Sequence, residues 1–568
     1  MKIIQGLPRA VKAGERVGLD VELFKPEEGR LHRPTGMFAC LSIAVKDGPS
    51  TYTTYQIRDA SDVGRVLQKL GRATWVLHNG LFDIRQMRRW ATVPKRQSID
   101  TMILERDLFG GWYDSFALDD VTRRWLGQYL DKSVRKQFLV QDELTPAMSK
   151  YAALDALTTL RVAEKQLEYA KERGDPLHCY WEIDEPAMWA ILDMPPIKID
   201  VDGWLKLAER MDMQVKSIKE KLGFNPGSPK QCQEKIFQVV GKQIKSTGQD
   251  ILEGLLDKAI RESKKPAIEL LRSILDYRLY AKAASTYGKN WVEKYVEDGN
   301  LVYPSYWVVG AESGRMAASH PNMQQIPVRR TPEYRDLFVS AHEKGCLLMA
   351  DVSQQEPRIL AYLSKDPVLV EAIKTGDVYK SVAQTVFKTD NVTKELRDRA
   401  KVIFLAAGYG LSASGLAAQE KMTSSEAQQF LDIFFKQYRG VKVWMARQRW
   451  AASSNGYVET PSGRRVWVNT YSNKWMRNAL NGPIQGGAAD QTKLAVALVH
   501  QECAAQGLPF CINNIVHDEV VLDLPDLRLA KKYGKIVQEC WEEASARTTP
   551  GMPYKIDITT GRTWGDKR

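Results

Sequence analysis

The chain has 568 residues, 44% apolar and 26% charged, with a formal net charge of +12. That length exceeds one hydrophobic core and calls for several domains. No run of about eighteen apolar residues occurs, which argues against a membrane-spanning helix. The seven cysteines never pair as CxxC, which argues against zinc sites and disulfide frameworks.

The N-terminal MKIIQGLPRAVKAGERVGLDVEL lacks an apolar core with a small-residue cleavage site, so a cytoplasmic location is expected. Residues 1–175 alternate short apolar runs with helical periods. VGLDVEL, FACLSIAV, TTYQI and ATWVLHN read as strands and LFDIRQMRRW opens a helix, giving an α/β domain. Cys179 to Asp200, with prolines at 186, 195 and 196, reads as a junction. From Trp204 to about Tyr295 apolar residues recur at helical spacing. Between Lys216 and Lys289 fifteen Lys or Arg face eight Asp or Glu, so this segment alone carries +7 of the +12. Nucleic acid is the commonest partner of such a basic helical stretch. Strands return near 301–309 and 346–350, and helices dominate 367–450. GYVETPSGRRVWV reads as a hairpin, about 474–504 as a long helix, and FCINNIVHDEVVLDLP as a second hairpin turning at His517–Asp518–Glu519.

In the first domain Asp20 and Glu22 lie two apart on a strand and share a face. Asn79 and Asp83 fall where a strand passes into a helix, and Tyr151 and Asp155 lie one helical turn apart. Several carboxylates so gathered suit hard divalent cations, and two such ions can clamp an in-line phosphoryl displacement. The ordered set DxE, NxxxD, YxxxD resembles the DEDDy class of 3′–5′ exonucleases. The resemblance implies metal ligands at Asp20, Glu22 and Asp155, support of the second metal by Asp83 through water, and a water-positioning Tyr151. Leu81 and Phe82 would pack beside the terminal base, and Asp100 would be structural.

Further along, LLMADVSQQEPRIL ends an apolar run at a carboxylate, Asp351, followed by polar residues. DVSQQEPRILAYLS resembles motif A of family A DNA polymerases. NNIVHDEVVLD resembles motif C and RDRAKVIFLAAGYG motif B, with Arg397, Lys401 and Tyr409 near one helix face. SGRMAASHPNMQQIPVR, MRNALNGPIQGGAAD, NPGSPKQCQEKIF and ILDYRLYAKAASTY extend the likeness from about Asn225 onward. The fold implied is a multidomain α/β and α+β chain, an RNase H-like exonuclease followed by a right hand. Its expected parts are 1–175 exonuclease, 176–300 linker and helical thumb, 301–365 palm with motif A, 366–475 fingers with motif B, and 476–568 palm with motif C.

The same resemblance implies primer extension on template DNA with dNTPs, using two Mg²⁺ per active site with Mn²⁺ able to substitute. Asp351, Asp518 and the Val352 carbonyl would hold the metals. Arg397 and Lys401 would meet the triphosphate, Lys401 also serving as general acid for pyrophosphate. Gln354 would join the nucleotide site, Glu356 would exclude a 2′-hydroxyl, Leu405 would take the position usually held by an aromatic ring, and Tyr409 would close over the nascent pair. His517 would touch the primer end. Arg315, Asn322, Gln324, Arg477, Asn481 and Gln485 would line the duplex, several through the minor groove, where base-pair identity is weakly encoded. Glu519 has two readings, support behind the metal ligands or a purely structural part.

The sequence departs from the family pattern in places. Leu405 stands at the aromatic position of motif B unless a helix shift lets Phe404 serve, which implies poor use of dideoxynucleotides. Val352 replaces a Tyr, Pro357 an apolar residue and Tyr379 a His. The exonuclease pattern starts almost at residue 1, so no 5′ nuclease is expected. A compact polymerase with a proofreading site, working as a monomer and with replisome partners unspecified, resembles a phage replicative enzyme. The other readings are a repair or translesion polymerase of the family, a catalytically dead DNA-binding scaffold, and an exonuclease whose polymerase half only holds DNA.

Overall fold

The computed structural model describes residues 2–26, 35–175, 177–420 and 422–567. The first domain is built on six strands: β1 (Lys2–Gln5), β2 (Arg16–Phe24), β3 (Met37–Lys46), β4 (Tyr52–Ile57), β5 (Thr74–Leu77) and β6 (Ser98–Asp100). Their order is β1-β4-β3-β2-β5-β6. β2, β3 and β4 pair antiparallel, while β5 and β6 continue the sheet parallel to β2. Helices α1 (Gly80–Met87), α2 (Thr101–Phe109) and α3 (Pro146–Glu172) pack around it. Asp100 is structural: one carboxylate oxygen accepts the Met102 and Ile103 amides and caps α2, and the other accepts the Gly80 amide at 2.7 Å.

The junction after residue 178 is a wedge rather than a tether. A π-type turn, Tyr180–Asp184, runs straight into α4 (Glu185–Leu192). Tyr180 and Trp189 are buried there. Around them one apolar cluster holds Val17 and Leu77 of the first domain together with Leu348 and Leu522 of the second. A shared core of this kind fixes the two domains against each other, unlike the polar contacts of mobile domain pairs.

Helices α5 (Val201–Leu222) and α6 (Lys265–Tyr287) form the basic arm, with a small distal core around Cys232, Leu252 and Leu271. The second sheet comprises β7 (Cys346–Val352), β8 (Ile512–Val516), β9 (Glu519–Leu524) and β10 (Ile556–Gly561), ordered β8-β9-β7-β10 and antiparallel throughout. Above it, α7 (Lys394–Gly408) turns Phe404 into the helical core, where its ring meets Tyr379 at 5.8 Å and Phe434 at 5.7 Å. The long helix α8 (Trp475–Ala505) runs beneath. Its Gly486 and Gly487 admit close neighbours: a Cβ would stand 2.7 Å from the Ser313 carbonyl at the first and 2.7 Å from the Pro461 ring at the second. The expected hairpin at 457–467 forms, with Tyr457–Glu459 paired to Arg465–Trp467.

One charge cluster crosses the junction. Arg464 reaches Asp107 of α2, Asp184 of the turn at 2.8 Å and Asp490 of α8 at 2.7 Å. Lys493 meets Asp184 and lies 3.7 Å from Asp490. All five side chains are buried. Burial pushes Asp107 well above the ordinary carboxyl range. Burial acts on Asp184 in the same direction, but Arg464 and Lys493 outweigh it and hold that carboxyl low. Two cations thus face three buried acids.

Arg464→Met should strip the guanidinium from three acids and cost about 3–5 kcal/mol, the range for breaking a buried pair from one side. Asp107→Asn keeps the size of the side chain and alters one of the three partners, so it should cost less than Arg464→Met. Urea midpoints of the two variants against the parent check both expectations, and equal midpoints for the two would contradict the central place of Arg464.

Candidate active sites

The exonuclease-like site forms where β2 passes beneath α3. Asp20 and Glu22 project from one face of the strand, and α3 brings Asp155 to them. One carboxylate oxygen from each lies within 4.8 Å of the others. Oδ2 of Asp20 and Oδ1 of Asp155 are buried and have no hydrogen-bond partner among the described residues. Buried, unpartnered carboxylate oxygens facing one another are the donor set a hard divalent cation requires. Asp83 is not drawn into that group: its Oδ1 accepts the Val21 amide at 2.9 Å, so it braces β2 from α1. Tyr151 lies one turn before Asp155 against its carboxylate, in an aromatic patch with Phe138 at 6.2 Å. Leu81 belongs to the buried core and Phe82 packs against it.

Burial raises all three acids; neighbouring carboxylates add to it at Asp20 and Glu22, whereas the Tyr151 hydroxyl and then Arg135 oppose it at Asp155. Glu22 is pushed up to about 8 and Asp155 to about 6, while Asp20 stands well above its ordinary range. Burial pushes Asp83 up to about 8 against the opposing Val21 amide. Arg135, which no sequence pattern singled out, is the cation that opposes the rise at Asp20, Glu22 and Asp155.

The second site is a cleft of about 610 Å³ on the second sheet. Its carboxylates owe their places to strand register. β7 ends with Asp351 opposite Glu519 of β9 on one side and Asp557 of β10 on the other. The two-residue turn between β8 and β9 carries His517 and Asp518, and the Val352 amide donates to the Asp518 carbonyl at 3.2 Å. Glu519, expected in that turn, is instead the first residue of β9. Burial, then the Asp351 charge, pushes Asp518 up to about 7. Two acids brought together in this way, one near the end of β7 and one in the adjoining hairpin turn, suit metal ions that would neutralise both.

Across the cleft stand Arg397 and Lys401 of α7. Arg397 pairs with Asp377, whereas Lys401 has no carboxylate within ion-pair distance among the described residues. Both cations lie over the Tyr379 ring, at 5.5 and 5.7 Å from its centre. The ring that replaces the family His therefore positions two cations, a role the substitution alone did not reveal. Leu405 lines the cleft while Phe404 is turned away, so the helix has not shifted. Glu356 lines it too and accepts from Arg315 at 2.6 Å. Gln354, Val352, Gln324 and His517 also line it, although the Gln354 side-chain carbonyl is engaged by the Val378 amide.

Other expected contacts lie elsewhere. Tyr409 caps α7 and packs on the helical core, with its hydroxyl buried and unpartnered. Asn322 spends its side-chain oxygen on the Gln324 amide, and Arg477 is exposed near the start of α8. Asn481 and Gln485 line a second cleft, of about 540 Å³, between α8 and the first domain. Lys567 and Asp557, which line the main cleft, carried no signal in the sequence.

Comparison with known proteins now decides the lineage. Residues 204–566 match the model of DNA polymerase family A. The chain belongs to that family. Residues 7–168 match a 3′–5′ exonuclease model, so an exonuclease domain precedes the family A polymerase domain. DNA polymerase I of Aquifex aeolicus is 28% identical over 92% of this chain and 93% of its own length. The Pseudomonas aeruginosa enzyme is 30% identical over 93% of this chain and 61% of its own length. For the Bacillus subtilis enzyme the figure is 30% over 74% of this chain, which spans about half, 49%, of that relative. The polymerase domain of Mycobacterium smegmatis Pol1, solved with DNA primer–template and dNTP, superimposes with a TM-score of 0.83 at 26% identity, covering 98% of this chain and 99% of that one. No helix among the described residues is long and apolar enough to cross a membrane.

The raised carboxyls of the first site predict a pH signature. Glu22 at about 8 and Asp155 at about 6 lie above the unfolded range, which is about 4. Ionisation is therefore penalised in the folded state only, and in chelator the penalty is absent at low pH and grows as pH rises through those values. In EDTA the melting temperature should fall between pH 5 and pH 9. Glu22→Gln should flatten that fall and raise the midpoint at the alkaline end. A steeper fall in Glu22→Gln would contradict the assignment.

Proposed function

We propose that the chain extends a DNA primer on a template with dNTPs at the β7–β9 cleft and shortens mispaired 3′ ends at the Asp20–Glu22–Asp155 site. The observation that carries this reading is one cleft holding Asp351 of β7 and Asp518 of the adjoining hairpin turn opposite Lys401. Phosphoryl transfer needs little covalent chemistry from the protein; it needs positioning and compensation of charge. Asp351 and Asp518, with the Val352 carbonyl, would hold two Mg²⁺, and Asp20, Glu22 and Asp155 would hold the pair in the exonuclease site. Asp83, which braces β2 in this structure, would reach the second of that pair through water. When bound, the ions supply activation of the attacking oxygen and charge neutralisation on the leaving one.

The protein's own groups do the rest. Lys401 and Arg397, oriented by Tyr379, face the triphosphate side of the cleft, and Lys401 can pass a proton to departing pyrophosphate. Glu356, held by Arg315, narrows the floor where a ribose 2′-hydroxyl would lie. Tyr409 at the end of α7 would reach the nascent pair when that helix moves, and His517 would meet the primer end. Arg477, Asn481 and Gln485 follow one stripe of α8 toward the cleft and would track the duplex. The basic arm would grip phosphates, which makes binding steeply salt-dependent. Three gathered exonuclease carboxylates favour a proofreading replicative role over a translesion one. A phage genome as the natural template is a proposal from analogy in domain content alone.

Primer extension on a labelled primer–template, with and without dNTPs, tests the reading. Extension should vanish in Asp518→Ala with shortening retained, and shortening should vanish in Asp20→Ala with extension retained. A parent protein that does neither would return the chain to the scaffold reading.

A second expectation concerns Leu405, which presents an aliphatic group where the family carries a ring. Leu405→Tyr should raise dideoxynucleotide incorporation relative to deoxynucleotide. Equal use of the two by the parent would refute it.

A further inference from the structure

Glu519 sits directly opposite Asp351 in the sheet, yet both its oxygens are engaged. The Trp564 indole donates to Oε1 at 2.9 Å. Arg335 and Lys567 approach Oε2, each at 3.4 Å. The Arg335 guanidinium also lies 3.9 Å from the Trp564 ring centre. Glu519 is therefore an anchor: it fastens the short helical turn Trp564–Lys567 against the end of β7. That turn is tied down at its other end too, because Trp564 is buried in the core at the base of the arm. The consequence falls on Lys567. Its ammonium contacts Oδ2 of Asp351 and lines the cleft.

We propose that Lys567 is a positioning residue of the polymerase site that competes with a divalent cation for Asp351, so that the Trp564–Lys567 turn sets how tightly this site holds metal. The inference rests on the reading of Asp351 and Asp518 as metal ligands. Its physical basis is short-range charge. A cation arriving at Asp351 must either displace an ammonium tethered by Glu519 or accept it as a like-charged neighbour. Both weaken binding. At Asp20 and Glu22 the opposing cation is Arg135, whereas Lys567 contacts Asp351 of the other site. The two sites would thus respond to different metal concentrations within one chain. Lys567 and Asp351 are partly exposed, with side chains at 25% and 33%, so the effect is moderated by solvent.

The test is direct Mn²⁺ binding, read from the electron paramagnetic resonance signal of the free ion. The full chain carries Asp20→Ala and Glu22→Ala, so that only the polymerase site is counted. In that background Lys567→Met and Lys567→Gln should each tighten Mn²⁺ binding by about three- to tenfold, while Lys567→Arg stays within about twofold of the parent. Adding Asp351→Asn should remove the difference between Lys567→Met and its parent. Circular dichroism and the melting temperature establish that each variant is folded; should Lys567→Met fail to fold, Lys567→Gln gives the same reading. Unchanged or weaker Mn²⁺ binding in the folded neutral variants overturns the role of Lys567. A parent with no Mn²⁺ binding sensitive to Asp351→Asn overturns the metal-site reading itself.

Discussion

The arrangement of both sites depends on Arg464. Its guanidinium holds one acid from the exonuclease domain, one from the connecting turn and one from α8. Isolated buried ion pairs are weak sources of stability, because desolvation offsets most of the Coulomb gain. Their value lies in specificity: a planar fork that must satisfy three partners admits one relative placement of the parts that carry them. Apolar packing around Tyr180 and Trp189 supplies adhesion between the domains but would tolerate small slippage. The charge cluster removes that tolerance. The two sites are thereby held in one fixed relation.

Both sites also store unfavourable energy. Carboxylates are gathered in buried positions, where burial and then neighbouring charges raise Asp20 and Asp518. Beside them stand three non-glycine residues in the left-handed backbone region: Asn79 at φ 64° before the helix that carries Asp83, Gln354 at φ 56° after Asp351, and His517 at φ 60° before Asp518. Each costs about 1–3 kcal/mol. Strain at these points turns the chain sharply where a strand ends, and at His517 the turn delivers Asp518 into the cleft. The surrounding sheets are fully packed, and they hold these local conformations in place.

Much of this was legible in the sequence because it is local. A strand tipped by Asp351, a hairpin turning at Asp518, and Arg397 with Lys401 one helical turn apart are facts of spacing, and the structure retains them. The pairing of DxE with YxxxD was legible for the same reason. What escaped depends on groups remote in sequence. Glu519 could not be resolved between two readings until Trp564, Arg335 and Lys567 were seen around it. Asp83 was expected to support the second metal through water, and its brace on the Val21 amide carried no signal in the sequence. Motif B left Leu405 and Phe404 open, and only the packing of Phe404 on Tyr379 and Phe434 decides between them. Arg464 lies in a plain hairpin, and nothing in GRRVWV announces three buried acids.

Helix α8 shows how one element can serve every part of the molecule. At about 100° per residue, Arg477, Asn481, Gln485, Ala488 and Thr492 fall on a single stripe. The middle of that stripe lines the cleft against the exonuclease domain, and its end lines the polymerase cleft. Asp490 and Lys493 project about a quarter-turn or more away and enter the Arg464 cluster. Gln491 points in a third direction, accepting from Gln355 behind motif A at 2.8 Å and donating to Ser545 at 3.1 Å. A helix so committed on three sides cannot rotate without breaking two polar networks. The stripe that connects the two clefts is therefore held rigid by the networks on its other sides.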